Sequence, residues 1–172
     1  MKKIIWKHGL IAGSITMVSI TIATIFHDQI GFDNGAYFGY TMMILAFSMI
    51  FVGIKNYRDK INLGVVSFGT AFKIGMFITL IASTCYVLTW LVNYYYFMPD
   101  FMEKYTQYAN EKLKVSGASA ADIAKQASEM SQFGEMYKNP LVNAAFTYME
   151  ILPVGLGVSL IAAFILKKKG AA

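Results

Sequence analysis

The chain has 172 residues, of which 56% are hydrophobic and 15% charged, against roughly 25% charged in soluble domains; a disordered chain, a collagen and an ordinary soluble enzyme are excluded. The length allows one domain, and a single cysteine, Cys85, excludes an internal disulfide framework and a cluster of cysteine metal ligands. The formal net charge is +5, which in a soluble protein would point to nucleic acid, but its distribution along this chain argues against such a partner.

Four stretches are long and apolar enough to cross a bilayer core, which takes about 20 residues of helix. The first, Gly9 to Phe26, comes after Lys2, Lys3 and Lys7. It is too long for the apolar region of a signal peptide, and Thr24-Ile-Phe-His-Asp has no small-residue cleavage site, so a retained anchor is expected. The second runs from Gly35 to Ile54 and ends in a basic connection carrying Lys55, Arg58, Lys60 and Lys73. In that connection Gly64, Gly69 and Gly75 permit close backbone approach. Val65, Val66, Phe68 and Phe72 can dip into the membrane interface, with the four basic residues facing anionic headgroups; the positive-inside bias explains the same basic residues without a lipid site and is the preferred reading. The glycine spacing matches neither a Walker loop nor a dinucleotide fingerprint.

The third span, Ile74 to Met98, carries Cys85 near its middle, with no histidine at its depth; a small packing residue is expected rather than a nucleophile. Residues Pro99 to Asn139 are the only extended polar stretch. Phe101, Tyr105, Tyr108 and Leu113 fall near helical spacing, as do Ile123, Ala127, Met130 and Tyr137. Ser116-Gly117 breaks the run, Ser119 with Asp122 resembles a capping box, and Asn139-Pro140 caps the fourth span. This predicts an amphipathic helical hairpin whose apolar stripes pack on each other or on the bilayer surface.

The fourth span, Leu141 to Leu166, contains one charged residue, Glu150; the other three contain none. Glu150 lies about 5 Å from the middle of its span, where a carboxylate costs at least about 2.5 kcal/mol unless protonated, paired or hydrated. Thr21, Tyr40, Thr41, Tyr86, Thr89 and Trp90 lie at matching depth on the other spans and can donate hydrogen bonds. Pro153 leaves the carbonyl of Met149 without its helical partner, so Glu150, that carbonyl, Thr147 and Asn143 are expected to form a polar pocket in a kinked helix. His8 and His27 stand at opposite ends of the first span, roughly 28 Å apart, and cannot share a metal ion. Pairs of small residues four apart, Gly9 with Gly13, Gly35 with Gly39, Ala71 with Gly75 and Gly155 with Ser159, predict close helix contacts.

Orientation is set by the positive-inside bias. Ten of the fifteen basic residues, among them Lys167, Lys168 and Lys169, flank one side against the single acid Asp59, which places both termini in the cytoplasm of a bacterial inner membrane. Trp90, Tyr94, Tyr95 and Tyr96 at the outer end of the third span fit the aromatic preference for the headgroup level. The fold expected is an all-α integral membrane protein: one domain over 1–172, four spans, and an extracytoplasmic hairpin over 99–139.

The stretch AFSMIFVGI with KNYRDKINLGVVSFGTAFKIG, together with EILPVGL around Glu150, resembles an uncharacterised family of small bacterial four-span membrane proteins, a domain of unknown function. The resemblance covers nearly the whole chain and brings no catalytic residues. With no catalytic constellation, cofactor motif or metal set, the chain reads first as a non-enzymatic accessory or interaction protein in the lipid bilayer, with a second copy of itself or another membrane protein as its partner. The alternative is a small oligomeric proton-coupled transporter or channel built around Glu150. A water-accessible cavity reaching Glu150 would favour transport, and a dry bundle with an exposed apolar hairpin face would favour the accessory role.

Overall fold

The protein is described by a computed structural model covering residues 1–168; Lys169, one of the basic residues after the fourth span, lies outside the described residues. Six α-helices succeed one another: α1 (Lys2–Ile25), α2 (His27–Lys60), α3 (Phe68–Val92), α4 (Phe101–Val115), α5 (Ala120–Tyr137) and α6 (Pro140–Leu166). A π-helical turn over Asn93–Phe97 extends α3. Four of them, α1, α2, α3 with its π turn, and α6, are long and apolar enough to cross a membrane, and the spans read from the sequence fall on these four. They form a ring in the order α1, α2, α6, α3, with α2 and α3 also touching across it.

The helix ends obey local chemistry. Ser67 begins α3 by accepting a hydrogen bond from the Thr70 amide at 3.2 Å, Ser119 begins α5 through the Asp122 amide at 3.2 Å, and Asn139 begins α6 through the Leu141 amide at 2.9 Å, with Pro140 at the first helical position. Each satisfies an amide that the helix itself leaves unpaired. Gly117, at φ 79°, makes the turn between α4 and α5, as the sequence predicts.

The segment His27–Asn34, expected to be a connection, is instead helical. α2 starts one residue after α1 ends and is kinked at Gly31 (φ 68°, ψ 168°), a conformation open to glycine because it has no Cβ. Conversely, α6 continues through Pro153 as one helix, and Pro153 is on its exposed face.

The two ends of the bundle differ in packing. Toward the chain termini, Phe47, Ile50 and Ile54 of α2, Ile74 and Ile78 of α3 and Ile151 of α6 are fully buried. Small residues bring backbones together there: a methyl on Gly75 would lie 2.8 Å from the Ser159 side chain, and one on Gly155 would overlap Thr79. The Thr79 and Ser159 hydroxyls join α3 to α6 at 3.2 Å. On α1, a methyl on Gly13 would lie 2.7 Å from Cys85 Sγ, so Cys85 serves as a packing neighbour. His8 is buried at this end, with Nδ1 donating to the Ile4 carbonyl at 2.8 Å and Nε2 accepting from the Asn56 amide at 3.0 Å. Gly35 and Gly39 depart from the expected pattern: no neighbour lies within 4 Å of a methyl built on either.

Val66, expected at the membrane interface, is instead buried. It exchanges two 2.9 Å backbone hydrogen bonds with Lys168, tying the α2–α3 connection to the end of α6. Phe72 packs against the core, while Phe68 stays exposed.

Candidate functional site: a cavity walled by Glu150

At the opposite end the ring is not filled. A cavity of about 500 Å³ occupies that half of the bundle, within the range of small-molecule sites. Its wall is made by the second half of α1 (Thr16 to Thr24), the first half of α2 (Ile30 to Met43), Tyr86 and Trp90 of α3, and Phe146, Thr147 and Glu150 of α6. Gly35 and Gly39 form part of this wall, so their missing side chains leave volume instead of allowing helix contact. Glu150 stands midway along α6, is exposed, and lines this space.

Of the hydrogen-bonding residues expected at its depth, Tyr40, Tyr86 and Trp90 share the cavity wall with Glu150. Thr21, Thr41 and Thr89 do not; each returns its hydroxyl proton to a carbonyl of its own helix, Met17, Tyr37 and Cys85, at 2.7 to 2.8 Å. Of the polar pocket expected within α6, Thr147 joins Glu150 on the wall. Asn143 is fully buried behind it, its carbonyl accepting from the Thr147 hydroxyl at 2.8 Å. Pro153 takes no part. The pocket is thus assembled across six helices and not within one kinked helix.

The roof comes from α4 and α5. Phe101 and Tyr105 of α4 and Phe133 and Tyr137 of α5 line the cavity. Phe101 meets Trp90 edge-on at 5.1 Å between ring centroids, Tyr137 meets Tyr94 at 5.3 Å, and Phe133 meets Phe146 at 5.1 Å. The Trp90 indole donates to the Tyr137 hydroxyl at 3.0 Å. Trp90 and Tyr94, read from the sequence as interface anchors, therefore form an internal aromatic cluster, and Tyr94 is buried. Of the apolar stripes expected on α4 and α5, Phe101, Tyr105 and Tyr137 turn onto the end of the bundle, and the two helices also pack on each other. Edge-to-face geometry adds roughly 0.5–1.5 kcal/mol per pair beyond area burial.

His27 at the α1–α2 junction also lines the cavity. Its Nδ1 lies 3.3 Å from Asp28, its Nε2 is buried without a partner, and its ring meets Phe32 at 4.8 Å. The signal that could have found this wall was the spacing of Gly35, Gly39, Tyr40 and Met43 on one stretch of α2. It reads equally as a packing stripe until the facing helices are known.

At the terminal end the four basic residues separate. Arg58 is engaged, its Nε donating to Asp59 at 2.6 Å and an NH group reaching the Leu166 carbonyl at 3.3 Å, which caps α6. Lys55, Lys60 and Lys73 are exposed. Among the described residues, no group of three or more His, Cys, Asp or Glu gathers closely enough to hold a metal ion.

A family model described as a protein of unknown function, DUF4199, matches residues 7–168. The chain belongs to that family. The match takes in α1 from Lys7 onward and all of the other helices, so the cavity of this DUF4199 chain is built wholly from the family's own segment. No curated protein and no solved structure matches the chain.

Proposed function

We propose that this DUF4199 chain is a non-enzymatic, multi-pass inner-membrane protein that binds a small amphiphilic molecule in the cavity beneath α4 and α5, with Glu150 as its polar anchor. The observation that carries the reading is the accessible carboxylate of Glu150 on the wall of a cavity of about 500 Å³ that is otherwise largely aromatic and aliphatic. Such a composition, apolar with a few placed polar groups, is what orients a small ligand.

Membrane placement is supported by the apolar side chains left on the outside of the ring, among them Ile44, Leu45, Leu88, Ile161 and Phe164, each more than half exposed. Lys2, Lys3 and Lys7 lie in the first turns of α1, Lys60 ends α2, and Lys167 and Lys168 come after α6. All lie at the terminal end, which supports an orientation with cytoplasmic termini and with α4 and α5 outside. Lys55, Lys60 and Lys73 are there free to meet anionic headgroups.

A docking role through the apolar hairpin face loses support, because Phe101, Tyr105, Phe133 and Tyr137 face the cavity. Proton-coupled transport is the second reading, favoured by the lone intramembrane carboxylate. It requires a path past Phe47, Ile50, Ile78 and Ile151, which close-pack the terminal half.

Gentle purification and then native mass spectrometry test the binding reading. The protein should carry a retained small molecule that Gly39→Phe displaces, since that ring would project into the cavity. Retention of the same mass by folded Gly39→Phe would place the ligand elsewhere and defeat the proposal.

A further inference from the structure

The cavity has a chemical character beyond its size. One carboxylate, Glu150, stands on its wall, and among the described residues no lysine or arginine lines it. The same wall and its roof carry the rings of Tyr40, Tyr86, Trp90, Phe101, Tyr137 and Phe146. Aromatic faces carry negative quadrupole potential and attract cations within about 6 Å of the ring centroid, most strongly when desolvated. A neutral ligand would leave the carboxylate without a counter-charge, and an anion would be repelled by both carboxylate and ring faces. An inorganic cation fits poorly, because Ca²⁺ asks for about six to eight oxygen ligands, several of them carboxylates, and this wall offers one carboxylate with scattered Ser, Thr and Tyr hydroxyls.

We infer that the ligand is an amphiphilic organic cation, an amine or quaternary ammonium on an apolar body, whose charged nitrogen sits between Glu150 and the aromatic rings. This rests on the cavity being a binding site. His27, the other ionisable group on the wall apart from the tyrosine phenols, lies at the α1–α2 junction, where its Nδ1 is 3.3 Å from Asp28. The aromatic enclosure suits a bulky, weakly hydrated ammonium, which gains from ring faces without requiring directional acceptors.

Three ligands with the same body separate charge from shape: phenylbutyl trimethylammonium, the neutral isostere with carbon in place of nitrogen, and the corresponding sulfonate. Binding is read from Trp90 fluorescence in Trp6→Phe protein, which leaves Trp90 as the remaining one of two tryptophans. The cation should bind at least about tenfold more tightly than the isostere, with the sulfonate weakest. Glu150→Gln should keep the isostere's affinity, which reports an intact cavity, and collapse the preference for the cation. Equal affinity for cation and isostere, or a preference unchanged in Glu150→Gln, would overturn the cation assignment while leaving cavity binding in place. If none of the three binds, both readings fall. Should Glu150→Gln not fold, the three-ligand series on the native side chain decides.

Discussion

Glycines at similar spacing serve opposite ends in this bundle, and single methyl groups separate the two uses. A Cβ on Gly155 would overlap Thr79 and lie 2.8 Å from the Phe47 ring, whereas nothing lies within 4 Å of one on Gly39. Overpacking a filled core costs typically about 1–3 kcal/mol, and alanine gains about 0.8–1.0 kcal/mol over glycine within a helix. Gly155→Ala should therefore lower the detergent-solubilised melting temperature clearly, while Gly39→Ala should leave it unchanged or raise it. Thermal unfolding of the two variants side by side checks the assignment, and equal destabilisation would mean that the cavity wall is packed. The same logic makes His8 a structural residue: it satisfies Asn56 inside the closed end, and a buried amide that loses its partner costs about 1–3 kcal/mol.

At the scale of elements, α4 is fastened by polar contacts at its solvent side as well as by rings on its inner side. Lys112 Nζ donates to Asp33 at 2.7 Å and to the Tyr108 hydroxyl at 3.1 Å, while Tyr108 also donates to Asp33. Lys104 pairs with Asp100 at 2.8 Å. The Asp33 carboxylate and then the Tyr108 hydroxyl hold the Lys112 ammonium above the usual lysine range, and the Lys104 hydrogen bond holds Asp100 below the ordinary 3.8. The Asp100 contribution is thus present above pH 3.8 and lost as pH falls through its lowered value; that of Lys112 is present below pH 10.5 and lost as pH rises through its raised one. Because these pairs are exposed and screened by salt, the effect is local. Hydrogen-exchange protection of residues 101–115, corrected for intrinsic rates, should fall at both pH extremes while the α3–α6 contact stays protected. Asp33→Asn should loosen the same segment at neutral pH. Uniform protection across the pH range would show that the aromatic contacts alone hold α4.

For the whole molecule, the testable quantity is sidedness. In a Cys85→Ala background, a cysteine at Ser131 should react with an impermeant thiol reagent from outside spheroplasts, and one at Asp59 should react only after lysis. Labelling of Asp59→Cys before lysis would invert the topology, and with it the side from which the cavity is reached.

The one-dimensional pattern carried the four long helices, the break at Gly117 and the caps at Ser119 and Asn139, because apolar run length and capping chemistry are local properties. It also singled out Glu150, since one carboxylate in an apolar run is conspicuous wherever the helices go. It misjudged Val66, Trp90 and Tyr94: residues of this kind lie at an interface or in a core according to what packs beside them. Whether Gly35 and Gly39 close a contact or open a cavity, whether Pro153 belongs with Glu150, and where the apolar stripes of α4 and α5 turn were all decided by tertiary structure. Each depends on distances between helices far apart in sequence, and helical periodicity assigns a residue to a face without assigning that face a neighbour.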